Sequence, residues 1–339
     1  MTAHVSEFKS LLENTVNIDQ TRLDSLETST QALYDALEDD ETLDSLVVEK
    51  IKQGSWAHRT IIKPKKGVEF DADFLLKMVE QPDWDLTPTR YGDAVYDALT
   101  DDGTYARQPR ECKDRCVRVV YADGYHVDIV PFVVKADGSG WIVDSSKNDG
   151  DGEWERTDPT GYTKWIKGKD ELAGGNLRET VRLLKYLRDH RGWYADTKSV
   201  ILTTVVGEQV TAAKKATSPG CYADVPTTLL TVTESLADWL DANETAPPIE
   251  DPSSPGTDLS HRWTDESYAQ LRADMTDVAS LVRAAYDANV SDSRTNWHDL
   301  FGAGFDPPAS SSSSAAAAGA AGAGLFGEKS DKGSSGRAG

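Results

Sequence analysis

Two aspartates one residue apart carry the first hint of chemistry in this chain, in Phe70-Asp71-Ala72-Asp73-Phe74-Leu75-Leu76. A strand alternates its side chains between faces, so Asp71, Asp73 and Leu75 share one face while Phe70, Ala72, Phe74 and Leu76 share the other. Two carboxylates then stand side by side over an apolar face. They repel, and both stay ionised at low cost only when a cation is shared between them, which makes a divalent metal the natural partner. An acidic turn or a solvated strand edge would explain Asp-x-Asp alone, so the companions decide. Upstream lies Gln53-Gly54-Ser55-Trp56. Gly54 lets the backbone approach a triphosphate closely, and the Ser55 hydroxyl and adjacent amides can donate hydrogen bonds to its oxygens. No Gly-Lys-Ser/Thr follows, so this is not a Walker A loop. Downstream, His126-Val127-Asp128-Ile129-Val130 holds a third carboxylate that is costly to keep among apolar neighbours without a charge partner. Asp71, Asp73 and Asp128 on neighbouring strands are what two-metal phosphoryl transfer requires: one ion lowers the pKa of an attacking ribose hydroxyl, and the other neutralises the leaving pyrophosphate.

The elements that must position these groups can be read from hydrophobic spacing. Residues 3–52 read as helical. Val5, Phe8, Leu11 and Leu12 share a face, and Leu43, Leu46, Val47 and Ile51 repeat the pattern, which predicts packed helices leading into Gly54. The acidic run Glu38 to Glu41 between them reads as a solvated turn and helix start. From Gln53 to Val134 the pattern changes to short strands, with a turn at Lys63-Pro64-Lys65-Lys66-Gly67 and a hairpin of Val117–Tyr121 and His126–Val130 joined at Asp123-Gly124. Residues 77–116 read as a helical stretch and a charged connection. Asp137 to Thr163, rich in Gly, Asp and Ser and anchored by tryptophans, reads as a long surface loop. Helices follow. Asn176 with Glu179 looks like a capping pair that opens one with Leu177, Val181, Leu184 and Leu187 inside and Lys185 at the margin, where a lysine ordinarily snorkels to solvent. Two more are read from Leu229 to Leu240 and from Tyr268 to Ala285, separated by an extended Pro247–Gly256 that cannot be helix.

At 339 residues with 38% apolar side chains, the chain can bury real cores. A net charge of −21 argues against broad binding to nucleic-acid backbone or to an anionic membrane. No apolar run is long enough to span a bilayer and Met1–Ser10 lacks the features of a signal peptide, so a cytoplasmic protein is expected. Three cysteines, Cys112, Cys116 and Cys221, suit a reducing compartment, and Cys112-x-x-x-Cys116 lacks the ligands of a structural zinc site. Ser310–Gly339 is Ser, Ala and Gly with few apolar anchors and is expected to be a disordered tail.

Gln53-Gly54-Ser55-Trp56-Ala57 with Thr60, then Phe70-Asp71-Ala72-Asp73, then His126-Val127-Asp128-Ile129-Val130-Pro131, resembles the polymerase-beta-type nucleotidyltransferases. Within them it most resembles the bacterial cGAS/DncV-like nucleotidyltransferases (CD-NTases) of CBASS antiphage defence, relatives of the oligoadenylate synthases. The likeness runs on through Leu183–Leu187, Lys198–Thr204 and Leu259–Trp263, and covers roughly residues 5–305. It implies an α+β fold: a polymerase-beta-like nucleotidyltransferase core of mixed sheet and helices with N-terminal helices (1–165), a C-terminal helical lobe (166–305), a nucleotide cleft between them, and the tail (306–339). By position, Asp71, Asp73 and Asp128 match the metal triad, with two Mg²⁺ ions or Mn²⁺ as cofactor. Gly54 and Ser55 match the phosphate-binding turn, and Lys185 and Ser199 match residues that reach the donor triphosphate. The interval from Ser55 to Asp71 is long for the superfamily. Val200 stands where animal relatives have a base-stacking aromatic, and the animal zinc thumb has no counterpart.

What the resemblance implies is synthesis of a cyclic di- or trinucleotide from ATP and other NTPs, read by a downstream effector that recognises the product. In many CBASS operons an E1/E2-like partner conjugates the enzyme's C-terminus, and a tail ending Arg337-Ala338-Gly339 suits that role, although a plain disordered terminus explains it equally well. The alternatives are another polymerase-beta-type transferase, acting in RNA tailing or protein nucleotidylation, and a non-catalytic nucleotide-binding scaffold. The acidic charge disfavours tailing, and the complete carboxylate set disfavours the scaffold.

Overall fold

The computed structural model describes residues 4–302 and Phe305; the tail expected to be disordered, with Gly339, lies outside the described residues. Helix α1 (Val5–Leu11) runs into a π-helical turn (Leu12–Val16), and α2 (Gln20–Glu38) follows. The Asp19 carboxylate caps α2 by accepting the Arg22 amide at 3.0 Å. The next helix expected from Leu43, Leu46, Val47 and Ile51 is instead a turn and a strand. The Asp40 carboxylate accepts the amides of Thr42 and Leu43 and reverses the chain. Strand β1 (Val47–Gln53) then pairs antiparallel with the strand that carries Asp71. Leu43 and Leu46 are buried, as the spacing required. The β-branched Val47, Val48 and Ile51 sit better on a pleated surface, and the ladder of backbone hydrogen bonds decides the matter.

One helical turn, α3 (Gly54–Ala57), connects β1 to β2 (Phe70–Val79). Phe70, Ala72, Phe74 and Leu76 are all buried, as alternation predicts. Helix α4 (Arg90–Asp101) and β3 (Arg110–Cys112) lead to the expected hairpin of β4 (Val117–Tyr121) and β5 (Tyr125–Val134), whose turn places Gly124 at φ +79°. The segment read as a long loop holds a second hairpin, β6 (Gly140–Asp144) and β7 (Glu153–Arg156), that continues the sheet from the end of β5. Its strands are short and lie among turn-forming residues, so composition hid them. Trp154 anchors it, edge-on to Tyr91 at 5.7 Å. Among the described residues the sheet runs β1-β2-β5-β4-β3, with β6 and β7 beyond β5; β2 and β5 are parallel and the other pairs antiparallel.

Helices complete the fold: α5 (Pro159–Leu172), α6 (Asn176–Arg191), α7 (Ser199–Glu208), α8 (Ala212–Thr217), α9 (Val225–Ala242), α10 (Asp265–Asp287) and α11 (Val290–Phe301). The start of α6 is not a capping box. Gly174 and Gly175, at φ +67° and +91°, make the turn into it, while the Asn176 amide donates to the Ala173 and Tyr222 carbonyls and Glu179 pairs with Arg182. The Pro247–Gly256 stretch is non-helical as expected. This arrangement is the α+β architecture anticipated from sequence. No helix among the described residues is long and apolar enough to cross a membrane.

The interior forms two apolar clusters. One lies between the sheet, α2 and α4 and includes Phe74, Val127 and Ile129; the other is built by α6, α7, α9, α10 and α11 and also takes in α1. Phe8 of α1 is fully buried, with its ring 4.9 Å from Trp297 and 4.9 Å from Phe305, both edge-on. Edge-to-face packing of this kind joins the beginning of the chain to its last described helix. Phe8→Ala is expected to destabilise the protein by about 3–5 kcal/mol, read as a lower urea midpoint with an unchanged slope.

Candidate active site

The sheet register sets the site. In parallel β2 and β5, Asp73 lies opposite Asp128 and Asp71 opposite His126. The same row extends to Gln53 on β1, to Arg118 on β4 and then to Glu111 on β3. One face of five adjacent strands therefore reads Gln53, Asp73, Asp128, Arg118, Glu111. The opposite face is apolar and fills the sheet core. Asp71 is exposed, Asp73 is half-buried and Asp128 is 7% exposed.

Burial and the neighbouring Asp71 and Asp128 carboxylates push the Asp73 carboxyl up to about 7; the Arg118 and Lys185 cations oppose that rise. The set is chemically suited to a hard divalent cation, since all three groups supply oxygens and their mutual repulsion is what such an ion would relieve. As they stand, no three His, Cys, Asp or Glu side chains among the described residues converge closely enough to hold one ion. The Asp128 carboxylate is already engaged. Arg118 Nε donates to its Oδ1 at 2.8 Å and the terminal nitrogen Nη2 donates to its Oδ2 at 2.7 Å, so both oxygens are engaged by a guanidinium fork. The charge partner that an aspartate among valine and isoleucine requires is thus a residue of the chain.

Gly54 sits directly over this row. Its φ is +62°, and a Cβ built there would run into the Asp73 carboxylate, so both conformation and space require glycine. Ser55 O accepts the amides of Thr60 at 2.8 Å and Ile61 at 3.1 Å, which folds the segment after α3 back over the sheet. Gly54, Ser55, Asp71 and Asp73 line a cleft of about 880 Å³ together with Lys185, Ser199, Leu259 and residues 261–264. Asp128 does not line it.

Lys185 departs from the reading of a marginal, snorkelling lysine. It is 4% exposed, and its Nζ donates to the Thr60 carbonyl at 3.1 Å. Burial, with help from Arg188, lowers its pKa to about 8. Ser199 opens α7, and its Oγ accepts from Arg188 at 3.1 Å; the same guanidinium holds the Thr197 carbonyl at 3.0 Å. His58 lies in the wall as well. Burial and the cations Lys185 and Arg178 lower its pKa to about 4, so it is a neutral surface there.

Among the described residues, all the sequence-derived ones except Asp128 line the cleft, and Asp128 lies on β5, whose Val130 lines it. Sequence reasoning missed Arg118 and Arg188. Both had a signal: Arg118 faces Asp128 once the hairpin register is counted from its turn, and Arg188 lies three residues after Lys185 on the same helix face.

The raised Asp73 carboxyl makes stability depend on pH. Its neutral form is tolerated and its charge is costly, so the metal-free protein keeps this contribution in acid and loses it as pH rises through about 7. Asp73→Asn, unfolded thermally in chelator, is expected to melt above the wild type at pH 8 by a few degrees, with the gap closing toward pH 4.

The family model for the Second Messenger Oligonucleotide or Dinucleotide Synthetase domain matches residues 1–170. A c-di-GMP synthase of Roseivirga ehrenbergii is 31% identical over 171 residues, which cover 48% of this chain and 44% of that protein; the match thus spans less than half of the relative's length. Among solved structures, Vibrio cholerae DncV cyclic AMP-GMP synthase with nonhydrolyzable GTP superposes with a TM-score of 0.68 at 16% identity, covering 90% of this chain and 96% of that one. E. coli MS115-1 CdnC with ATP gives 0.65 at 18% identity, over 89% and 99%. Bradyrhizobium diazoefficiens CdnG, a CD-NTase, in complex with GTP gives 0.65 at 18% identity, over 88% and 94%. These structures share the fold, and with half of its sequence matched by the family model the chain belongs to the Second Messenger Oligonucleotide or Dinucleotide Synthetase domain family.

Proposed function

We propose that this chain is a nucleotidyltransferase that makes a cyclic di- or trinucleotide second messenger from NTPs, with release of pyrophosphate, in CBASS-type antiviral signalling. The observation that carries the reading is the register of Asp73 beside Asp128, with Asp71 two residues away and Gly54 packed against Asp73. Family membership supports the reaction class. The c-di-GMP synthase relative supports guanine nucleotides as substrates, while the family resemblance brings ATP.

In this reading Asp71, Asp73 and Asp128 hold the divalent ions, Mg²⁺ or Mn²⁺, which supply activation of the attacking ribose hydroxyl and neutralise the leaving pyrophosphate. Residues 1–165 supply the N-terminal helices, of which α1 packs into the helical cluster, and the nucleotidyltransferase core, and 166–305 supply the helical lobe. Gly54 gives the triphosphate room to approach the sheet, and Ser55 donates to it. Lys185 and Ser199 reach the donor triphosphate from the helical side, and Arg188 holds the Ser199 oxygen in place. The cleft takes two nucleotides in turn and then the linear intermediate, so positioning and charge neutralisation do most of the catalysis. A downstream effector recognises the product.

The test is to incubate the full chain with the four NTPs and Mg²⁺ or Mn²⁺ and to resolve phosphatase-resistant products by mass. A cyclic product is expected; linear tails alone would overturn the proposal. Asp71→Ala and Asp73→Ala should each lose more activity than the roughly 10–100-fold typical of an outer partner of a metal ligand. Retained synthesis in both would remove the metal assignment.

Lys185 predicts a pH limb. A lysine whose pKa is lowered to about 8 carries its charge below that pH and loses it above. We expect kcat/KM for the NTP, which reports the free enzyme, to fall as pH rises past about 8. Lys185→Arg, which stays charged, should flatten that limb even where its overall rate is lower.

A further inference from the structure

Asp128 has two claims on it. As a member of the acidic trio it faces Asp73 across β2 and β5; as a buried aspartate it is held at both oxygens by Arg118, 2.8 and 2.7 Å away. A bidentate guanidinium fork is directional and charge-assisted, so it fixes the carboxylate toward β4, away from the cleft that Asp71 and Asp73 line. Arg118 is not confined to this one partner. The next residue in its row is Glu111 on β3, an exposed carboxylate that also contacts Lys113 at 2.7 Å, and Arg118 itself is partly open to solvent. Turning away from Asp128 would therefore leave the guanidinium near an acceptor and water, without an unpaired buried charge.

We infer that Arg118 is a positioning residue that competes with the divalent ion for Asp128: it holds the third carboxylate while the site lacks metal and yields it as an ion binds. The inference rests on the metal-centre reading above. A fixed cation one strand from the ion repels it, and the fork occupies the oxygens that the ion needs. Both effects act in the same direction. Arg118 therefore lowers metal affinity, and in return keeps Asp128 paired and the metal-free sheet intact.

Mn²⁺ binding to the full chain without nucleotide, measured by the loss of the free-ion EPR signal, provides the test, with thermal unfolding of the same samples as a control. Arg118→Met is expected to bind Mn²⁺ roughly 10-fold more tightly than the wild type. Without metal it should melt lower, since Asp128 is left unpaired, and it should gain more than the wild type when Mn²⁺ is added. Arg118→Lys keeps the charge and loses the fork, so its affinity should lie between the two; it also serves if the methionine variant does not fold. Wild-type binding that is unchanged or weaker in both variants overturns the inference and leaves the metal centre standing. No Mn²⁺ binding by the wild type removes the metal-centre reading and this inference together.

Discussion

Like charges facing each other across a parallel strand pair are the constraint on which the site depends. Asp73 and Asp128 occupy paired positions on β2 and β5, and nothing local favours them there. A sheet tolerates the pair because the other face of both strands is wholly apolar, with Phe74, Val127 and Ile129 buried in one core. A one-residue slip of either strand would send the carboxylates into that core and the apolar side chains into the cleft. Hydrophobic burial therefore fixes the register, and the register fixes the chemistry.

The charges that offset the pair come from two different parts of the fold. Arg118 acts within the sheet, strand to strand. Lys185 arrives from α6 and is tied to the Thr60 carbonyl, so the segment that folds over the Asp row and the helix facing it are joined by one buried ammonium. Arg188, a turn further along α6, ties the start of α7 in the same way through Thr197 and Ser199. Desolvation lowers the Lys185 pKa toward the working range, and the acidic row nearby works against that fall. Cation and anions thus support each other's charged forms across the cleft.

How much of this was legible in the sequence depends on the distance over which a signal acts. Period-two alternation in Phe70–Leu76 and the Asp123-Gly124 turn gave β2 and the β4–β5 hairpin, because strand faces and tight turns are set locally. The parallel pairing of β2 with β5 was not legible, because alternation does not say in which direction neighbouring strands run. Leu43, Leu46, Val47 and Ile51 misled because buried residues at spacings of three, one and four suit a helix as well as a turn followed by a strand. The β6–β7 hairpin was hidden by its composition and is held by pairing to β5, a tertiary effect. Lys185 was visible as a residue, but a helical wheel gives its angle and not what lies opposite. Arg118 could have been read: the hairpin register that pairs Tyr121 with Tyr125 also pairs Arg118 with Asp128.

The overall charge bears on which anions can use the cleft. With a net charge of −21 the surface repels any polyanion, and the repulsion grows with each phosphate brought near. Screening confines the effect to about 8 Å at physiological ionic strength, so a single nucleotide escapes most of it once inside. Beside Ser199, Lys185 and Arg188 set cationic charge against the nearby carboxylates of Glu69, Asp71 and Asp189. A small anion loses little to the surface, whereas a nucleic-acid strand must lay most of its charge along it. The acidity of the surface thus weighs against polyanions more than against single nucleotides.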